Sequence, residues 1–143
     1  MIAAACCHSR ALYLAGTWPE LSVNQLAKVG SAYYRPLRMI TGTHKRVPEG
    51  DAATSNAAVA RQLQMPIIEW VIAISRLRFA AKVSRRPRDF LTALLQGEGG
   101  ANWRSAVTAS CRSLQQLLPS KLATLPDPRV SMAEWELLWT VPC

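Results

Sequence analysis

The stretch "PIIEWVIAISRLRFAAKVSRR", residues 66 to 86, decides the class of fold. Apolar side chains recur every three or four positions within it. Ile67, Trp70, Ile74, Leu77 and Ala81 form one stripe on a helical wheel, and Ile68, Ile72, Phe79 and Val83 form a second on nearly the opposite side. That is the period of a helix, and strand-type alternation is sustained nowhere in the chain. A helix apolar on two sides is expected to lie buried between layers. Pro66 suits its first turn, where a missing N–H is no loss. Arg78, Lys82, Arg85 and Arg86 line a seam near its other end, where cations complement the helix dipole. Glu69, Arg76, Arg78 and Lys82 leave Trp70 to Ser75 as its longest charge-free run, far short of the roughly 20 apolar residues of a membrane span.

Outward from this helix the chain reads as further helices separated by breaks. Ser22 and Gln25 match an S-x-x-Q capping box, in which hydroxyl and amide each satisfy an orphan backbone N–H, and Leu21 can staple onto Leu26. Leu26, Val29, Tyr33, Leu37 and Ile40 then keep helical spacing up to Gly42, placed as a left-handed cap. Pro36 removes the hydrogen bond to the Ala32 carbonyl, so a kink or a break is expected there. "THKRVPEGDA", 43 to 52, reads as an exposed loop, and a helix from Ser55 or Asn56 to Gln64 follows it.

Toward the C-terminus, Asp89 can cap a short helix over 90 to 96, and "QGEGG" at 96 to 100 reads as a flexible break. Asn102 is placed to cap a helix over 103 to 118 that turns Trp103, Val107, Leu114 and Leu117 inward. "LPDP" at 125 to 128 makes a turn. Ser131 and Glu134 form a second capping box, leading into Trp135, Leu138 and Trp139. The last helix is short, which gives the chain the look of a truncated one. The expected fold is all-α, a small irregular bundle of about five to seven helices. Residues 1–96 form a basic region, and 97–143 form a tryptophan-bearing tail packed on it.

A chain of 143 residues, 50% of them hydrophobic and 18% charged, is long enough and apolar enough to bury a core. "MIAAACCHSR" lacks the basic start and the apolar length of a secretion signal, so an unprocessed intracellular protein is expected, in nucleus or cytoplasm. Cys6, Cys7, Cys111 and Cys143 do not make a disulfide framework, and "CCH" at 6 to 8 lacks the second ligand pair of a zinc site. No cofactor or metal is expected.

The net charge of +8 is unevenly placed. Residues 1 to 88 hold thirteen Lys and Arg against four Asp and Glu, whereas 89 to 143 hold four against five. Such an excess favours polyanions, with solvated surface charge as the ordinary alternative. Two groups stand out: Arg35, Arg38, Lys45 and Arg46, and the denser Arg76, Arg78, Lys82, Arg85, Arg86 and Arg88. Both are suited to the phosphates of RNA or DNA, which such groups hold by releasing counterions, without reading sequence. Tyr33 and Tyr34 could stack on bases, although tyrosines at helical spacing are more commonly core residues. Carboxylates are too scattered for a two-metal site, since Asp51, Asp89 and Asp127 are isolated and Glu134 and Glu136 diverge. His8 and His44 have no nucleophile to serve, and no phosphate-binding glycine loop is present. No enzyme is expected.

"SRALYLAGTWPELSVNQLAKVGSAYYRPLRMITG", 9 to 42, resembles the segment that follows the polymerase palm in reverse transcriptases of non-LTR, LINE-type retrotransposons. That family has a "LLYGxETW" element, a helix opened by Thr or Ser, and an "LRxILG"-like ending. Leu12-Tyr13, Gly16, Thr17-Trp18, Leu37-Arg38 and Ile40-Thr41-Gly42 match them here. The following "SNAAVARQLQMPIIEWVIAISRLRFAAKVSRRP" resembles the family's next block, with Asn56, Pro66 and the "RLRF" of Arg76 to Phe79 in place. The resemblance covers about residues 9 to 95, and 101 to 140 fits the family's variable tail loosely.

Ala15 and Pro36 depart from the family pattern, and the "YADD"-type aspartates would lie before residue 1. The resemblance implies a thumb or post-thumb remnant that grips primer–template duplex without RNA-directed DNA synthesis of its own. It gives Tyr13 and Trp18 the role of fixing the start of the thumb. Two other readings remain open: an independent helical module that binds protein through apolar surface around Trp135, Leu138 and Trp139, and a degenerate open reading frame.

Overall fold

The computed structural model describes residues 12–43, 55–85, 93, 97–117, 124–125, 133–135 and 137. The protein is all-α. Among the described residues the longer helices are α1 (Val23–Thr41), α2 (Asn56–Gln62), α3 (Ile68–Arg85) and α4 (Ala101–Leu117), with 3-10 turns at Ala15–Thr17 and Glu98–Gly100. Residues 44–54, most of 86–96, the turn at 125 to 128 apart from Leu125, and the Ser131 box apart from Glu134 lie outside the described residues.

The chain divides into two compact units. Among the described residues, one comprises Leu12 and Tyr13 with Leu21–Ile72, and the other comprises Leu14–Glu20 with the chain from Ala73 onward. The division falls inside α3, and the segment at 14–20 packs with residues more than fifty positions ahead of it.

In the first unit α1 begins as its sequence directs. Ser22 accepts from the Gln25 N–H at 3.3 Å, and the Gln25 side chain accepts from the Ser22 N–H at 2.9 Å, completing the capping box. Gly42 closes the helix at φ 67°, with its N–H directed to the Arg38 and Met39 carbonyls. The helix runs unbroken through Pro36. Ala32, whose carbonyl loses its partner, is exposed, so water can take the place of the missing N–H. Tyr33, Tyr34 and Leu37 are buried, as are Val59 and Ala60 of α2. Ile40, expected inside, is exposed instead, and Tyr34 takes its share of the core.

Ser55 caps α2 by accepting from the Ala58 N–H at 3.1 Å. The helix stops at Gln62, two residues before its expected end. Gln64 is left-handed at φ 52°, and the Met65 N–H reaches back to the Ala60 carbonyl at 2.8 Å, a Schellman-type closure. Pro66 precedes α3, which starts at Ile68, and its carbonyl accepts from the Tyr33 hydroxyl at 2.8 Å.

Along α3 the buried row is Ile68, Ile72, Arg76 and Ala80, spaced by four. Ile67, Trp70 and Leu77, expected to form a buried stripe, are half-buried, and Ile74 is exposed. In the second unit Ala80, Val107, Cys111 and Trp135 make the core, with Leu77, Trp103 and Leu125 packed against it. The α4 helix opens earlier than expected, at Ala101. Gly97–Gly100 forms a turn that leads directly into it, so Asn102 is an interior residue and not a cap. Leu117, expected inside, is exposed at its end.

Candidate nucleic-acid interface

Arg78, Lys82 and Arg85 are exposed and follow one another at intervals of four and three residues, so they share one side of α3. The row spans seven residues, roughly 10 Å of helix. No Asp or Glu lies between Arg76 and Arg88 in the sequence. Arg85 sits in the last turn, where a cation also complements the dipole.

Arg76 does not belong to this row. It is buried, with its Nε donating to the Trp18 carbonyl at 3.0 Å and its Nη2 donating to the Pro19 carbonyl. Burial pulls this guanidinium below its ordinary value, an effect that the Glu20 carboxylate opposes. Arg76 therefore fastens the 14–20 segment within its own unit. The sequence held a signal for this, because Arg76 stands in register with Ile68, Ile72 and Ala80, and four-residue spacing keeps a row on one face.

The same segment is held from two further sides. Trp103 Nε1 donates to the Gly16 carbonyl at 2.7 Å, and the Trp103 ring meets Phe79 edge-on with centroids 5.7 Å apart. Gly16 lies so close to α3 that a Cβ would stand 2.6 Å from the Ser75 carbonyl oxygen and 2.8 Å from the Phe79 Cβ. Leu14 enters the turn left-handed at φ 62°, a conformation that L residues rarely adopt. The "LAGTWP" motif is thus a packing device. Tyr13, expected to help fix it, is 72% exposed, and the task falls to Gly16, Trp18 and Pro19.

Arg35 and Arg38 stand on α1, in the other unit. Arg35 is exposed, and Arg38 donates to Asn56 Oδ1 at 2.8 Å. Both border a groove of about 840 Å³ that runs along α1 past the starts of α2 and α3. Lys45, Arg46, Arg86 and Arg88 lie outside the described residues.

Tyr33 and Tyr34 are buried and meet edge-on at 5.0 Å, so neither ring is offered to a base. The Tyr34 hydroxyl accepts from the Ile68 N–H at 3.1 Å, capping a helix start at which Ile67 has no capping side chain. Burial, joined by the neighbouring Tyr34, raises the Tyr33 hydroxyl. Burial also raises that of Tyr34, against the Ile68 hydrogen bond and with help from Glu69.

Trp135 is 2% exposed, at the centre of the second unit's core, and so is not the exposed surface expected there. Leu138 and Trp139 lie outside the described residues. Cys111 is a free, buried thiol, pushed up to about 12 by burial. Among the described residues no group of three or more His, Cys, Asp or Glu side chains is gathered, and no helix is long and apolar enough to cross a membrane. No family model, curated protein or solved structure matches the chain.

Proposed function

We propose that this chain is a catalytically inactive, thumb-like piece of a non-LTR retrotransposon reverse transcriptase that keeps electrostatic affinity for nucleic-acid duplex. The observation that carries this reading is the exposed row of Arg78, Lys82 and Arg85 on one side of α3. A nucleic-acid strand advances 3.4 Å per phosphate along its axis, so a row of roughly 10 Å is long enough to meet two or three phosphates. Such contacts position a duplex and read no sequence, as gripping a primer and template requires. The block order "LYLAGTW", "PLRMITG" and "RLRF" supplies the retroelement part of the reading.

In this reading the work divides by burial. The exposed cations bind, while Arg76, Gly16 and Trp103 hold the segment that packs beside them in the same unit. Binding is the whole of the proposed chemistry. Fluorescence anisotropy with a labelled RNA–DNA hybrid across a salt series tests it, beside a variant carrying Arg78→Gln, Lys82→Gln and Arg85→Gln. Binding that weakens steeply with salt in the wild type, and less steeply in the variant, supports the proposal. A folded wild-type chain that does not bind at low salt overturns it.

A further inference from the structure

The groove along α1 belongs to neither the α3 row nor a core. Val23, 84% exposed, stands at one end of it and Met39, 74% exposed, toward the other. Between them Ala27 and Ser31 are exposed and Gly30 has no side chain, so α1 presents large apolar residues at its ends and small ones in the middle. The positions 23, 27, 31, 35 and 39 follow a spacing of four, the side of a helix that a second helix packs against. A Cβ placed on Gly30 would stand 3.9 Å from Ile68 and 4.0 Å from Tyr34, ordinary van der Waals contact, so the buried Gly30 sits against those two side chains and adds none of its own to the groove. From Val23 to Met39 the groove follows roughly 24 Å of α1, the length of a helix of about 16 residues.

Charge selects the occupant. The α1 sequence carries Lys28, Arg35 and Arg38 and no carboxylate. Arg35 stands in the same row, between Ser31 and Met39, Arg38 also borders the groove, and the Arg38 guanidinium is steadied by Asn56. Among the described residues, Glu69, at the start of α3, is the one acidic residue bordering the groove. We propose that this groove docks an amphipathic helix of a partner protein, with its apolar face on Val23, Ala27, Ser31 and Met39 and its carboxylates against Arg35 and Arg38. Exposed apolar ends of this kind are of no use to a phosphate backbone, but they are what a helix seated in a groove covers. The inference stands apart from the proposed function, which rests on the part of α3 from Arg78 to Arg85, in the other unit.

The probe is a fluorescein-labelled helical peptide of about 16 residues, with leucines spaced by three and four and glutamates beside them. Saturable binding in the micromolar range is expected, weakened at least about tenfold by Arg35→Glu and by Ser31→Trp, which fills the groove. The counterpart peptide with glutamine in place of glutamate should bind similarly weakly, and the triple α3 variant should bind the glutamate peptide like the wild type. Circular dichroism melts check each fold, and Ala27→Glu replaces Ser31→Trp if the tryptophan lowers the melting midpoint. No binding up to about 1 mM peptide overturns the proposal. So does binding indifferent to both substitutions, or an Arg35→Glu variant that loses the RNA–DNA hybrid and keeps the peptide, which would make the groove wall a phosphate surface.

Discussion

Replacing Arg76 by methionine should cost about 2–3 kcal/mol of stability without touching the exposed basic row. The side chain makes two charge-assisted hydrogen bonds, to the carbonyls of Trp18 and Pro19, fifty-eight and fifty-seven residues away in sequence. Each such bond contributes about 1.5–3 kcal/mol, a gross loss of roughly 3–6 kcal/mol. Two effects reduce it. Pro19 is exposed and Trp18 half-buried, so water can satisfy the released carbonyls, and removing the guanidinium relieves its own desolvation. Lysine keeps the charge but presents no planar fork to two carbonyls, so Arg76→Lys should lie between, at about 1–2 kcal/mol.

Urea unfolding followed by tryptophan fluorescence measures the difference. With a slope of about 2 kcal/mol/M, the Arg76→Met midpoint should fall by roughly 1 M. A midpoint within about 0.25 M of wild type, equivalent to about 0.5 kcal/mol, would refute the reasoning. Refutation would be stronger still if the same variant lost affinity for the RNA–DNA hybrid, because Arg76 would then face a ligand and not the chain.

Three other perturbations probe separate parts of the fold. Gly16→Ala should destabilise by about 1–3 kcal/mol in the same urea assay, because the added Cβ meets a helix backbone oxygen that cannot move aside; an unchanged midpoint would contradict the close approach. Tyr34→Phe should cost about 1–3 kcal/mol by leaving the Ile68 N–H without its acceptor, seen as faster amide exchange at Ile68, whereas wild-type exchange would mean that another group caps α3. Below pH 9 the Cys111 thiol is protonated in both the folded and the unfolded chain, and its contribution is complete. As pH rises from 9 to about 12 the unfolded thiol ionises while the buried one keeps its proton, so stability falls by up to about 1.4 kcal/mol per pH unit. The raised tyrosines add to the fall above pH 10. Cys111→Ala should flatten the decline between pH 9 and 12, and an identical slope would place the thiol in water.

The features legible in the sequence are those settled within a few residues. The Ser22–Gln25 box and the Gly42 terminus depend on side chains and φ values inside one turn, and the structure carries both. Burial is settled across the chain, and there the reading slipped. Arg76 reads as one more cation in a basic run until the carbonyls of Trp18 and Pro19 are set opposite it. Tyr33 and Tyr34 read either as base-stacking rings or as core residues until α3 needs an acceptor for its first N–H. Pro36 reads as a kink or a break because the pattern does not say that Ala32 faces water. Of the candidate basic residues, Arg78, Lys82 and Arg85 are set side by side, Arg35 and Arg38 border a groove, and Arg76 is taken out of the surface altogether. The groove itself had no local signal, because its walls come from α1, α2 and α3 together.

The most direct test of the proposed function is the slope of log K against log salt for the RNA–DNA hybrid, in the wild type and in the variant with Arg78, Lys82 and Arg85 changed to Gln. Each phosphate contact contributes about 0.9 to that slope, so the variant should lose roughly 2 to 3 from it while keeping the wild-type melting midpoint. Equal slopes in two folded proteins would contradict the account, since the exposed row of α3 would then hold no phosphate.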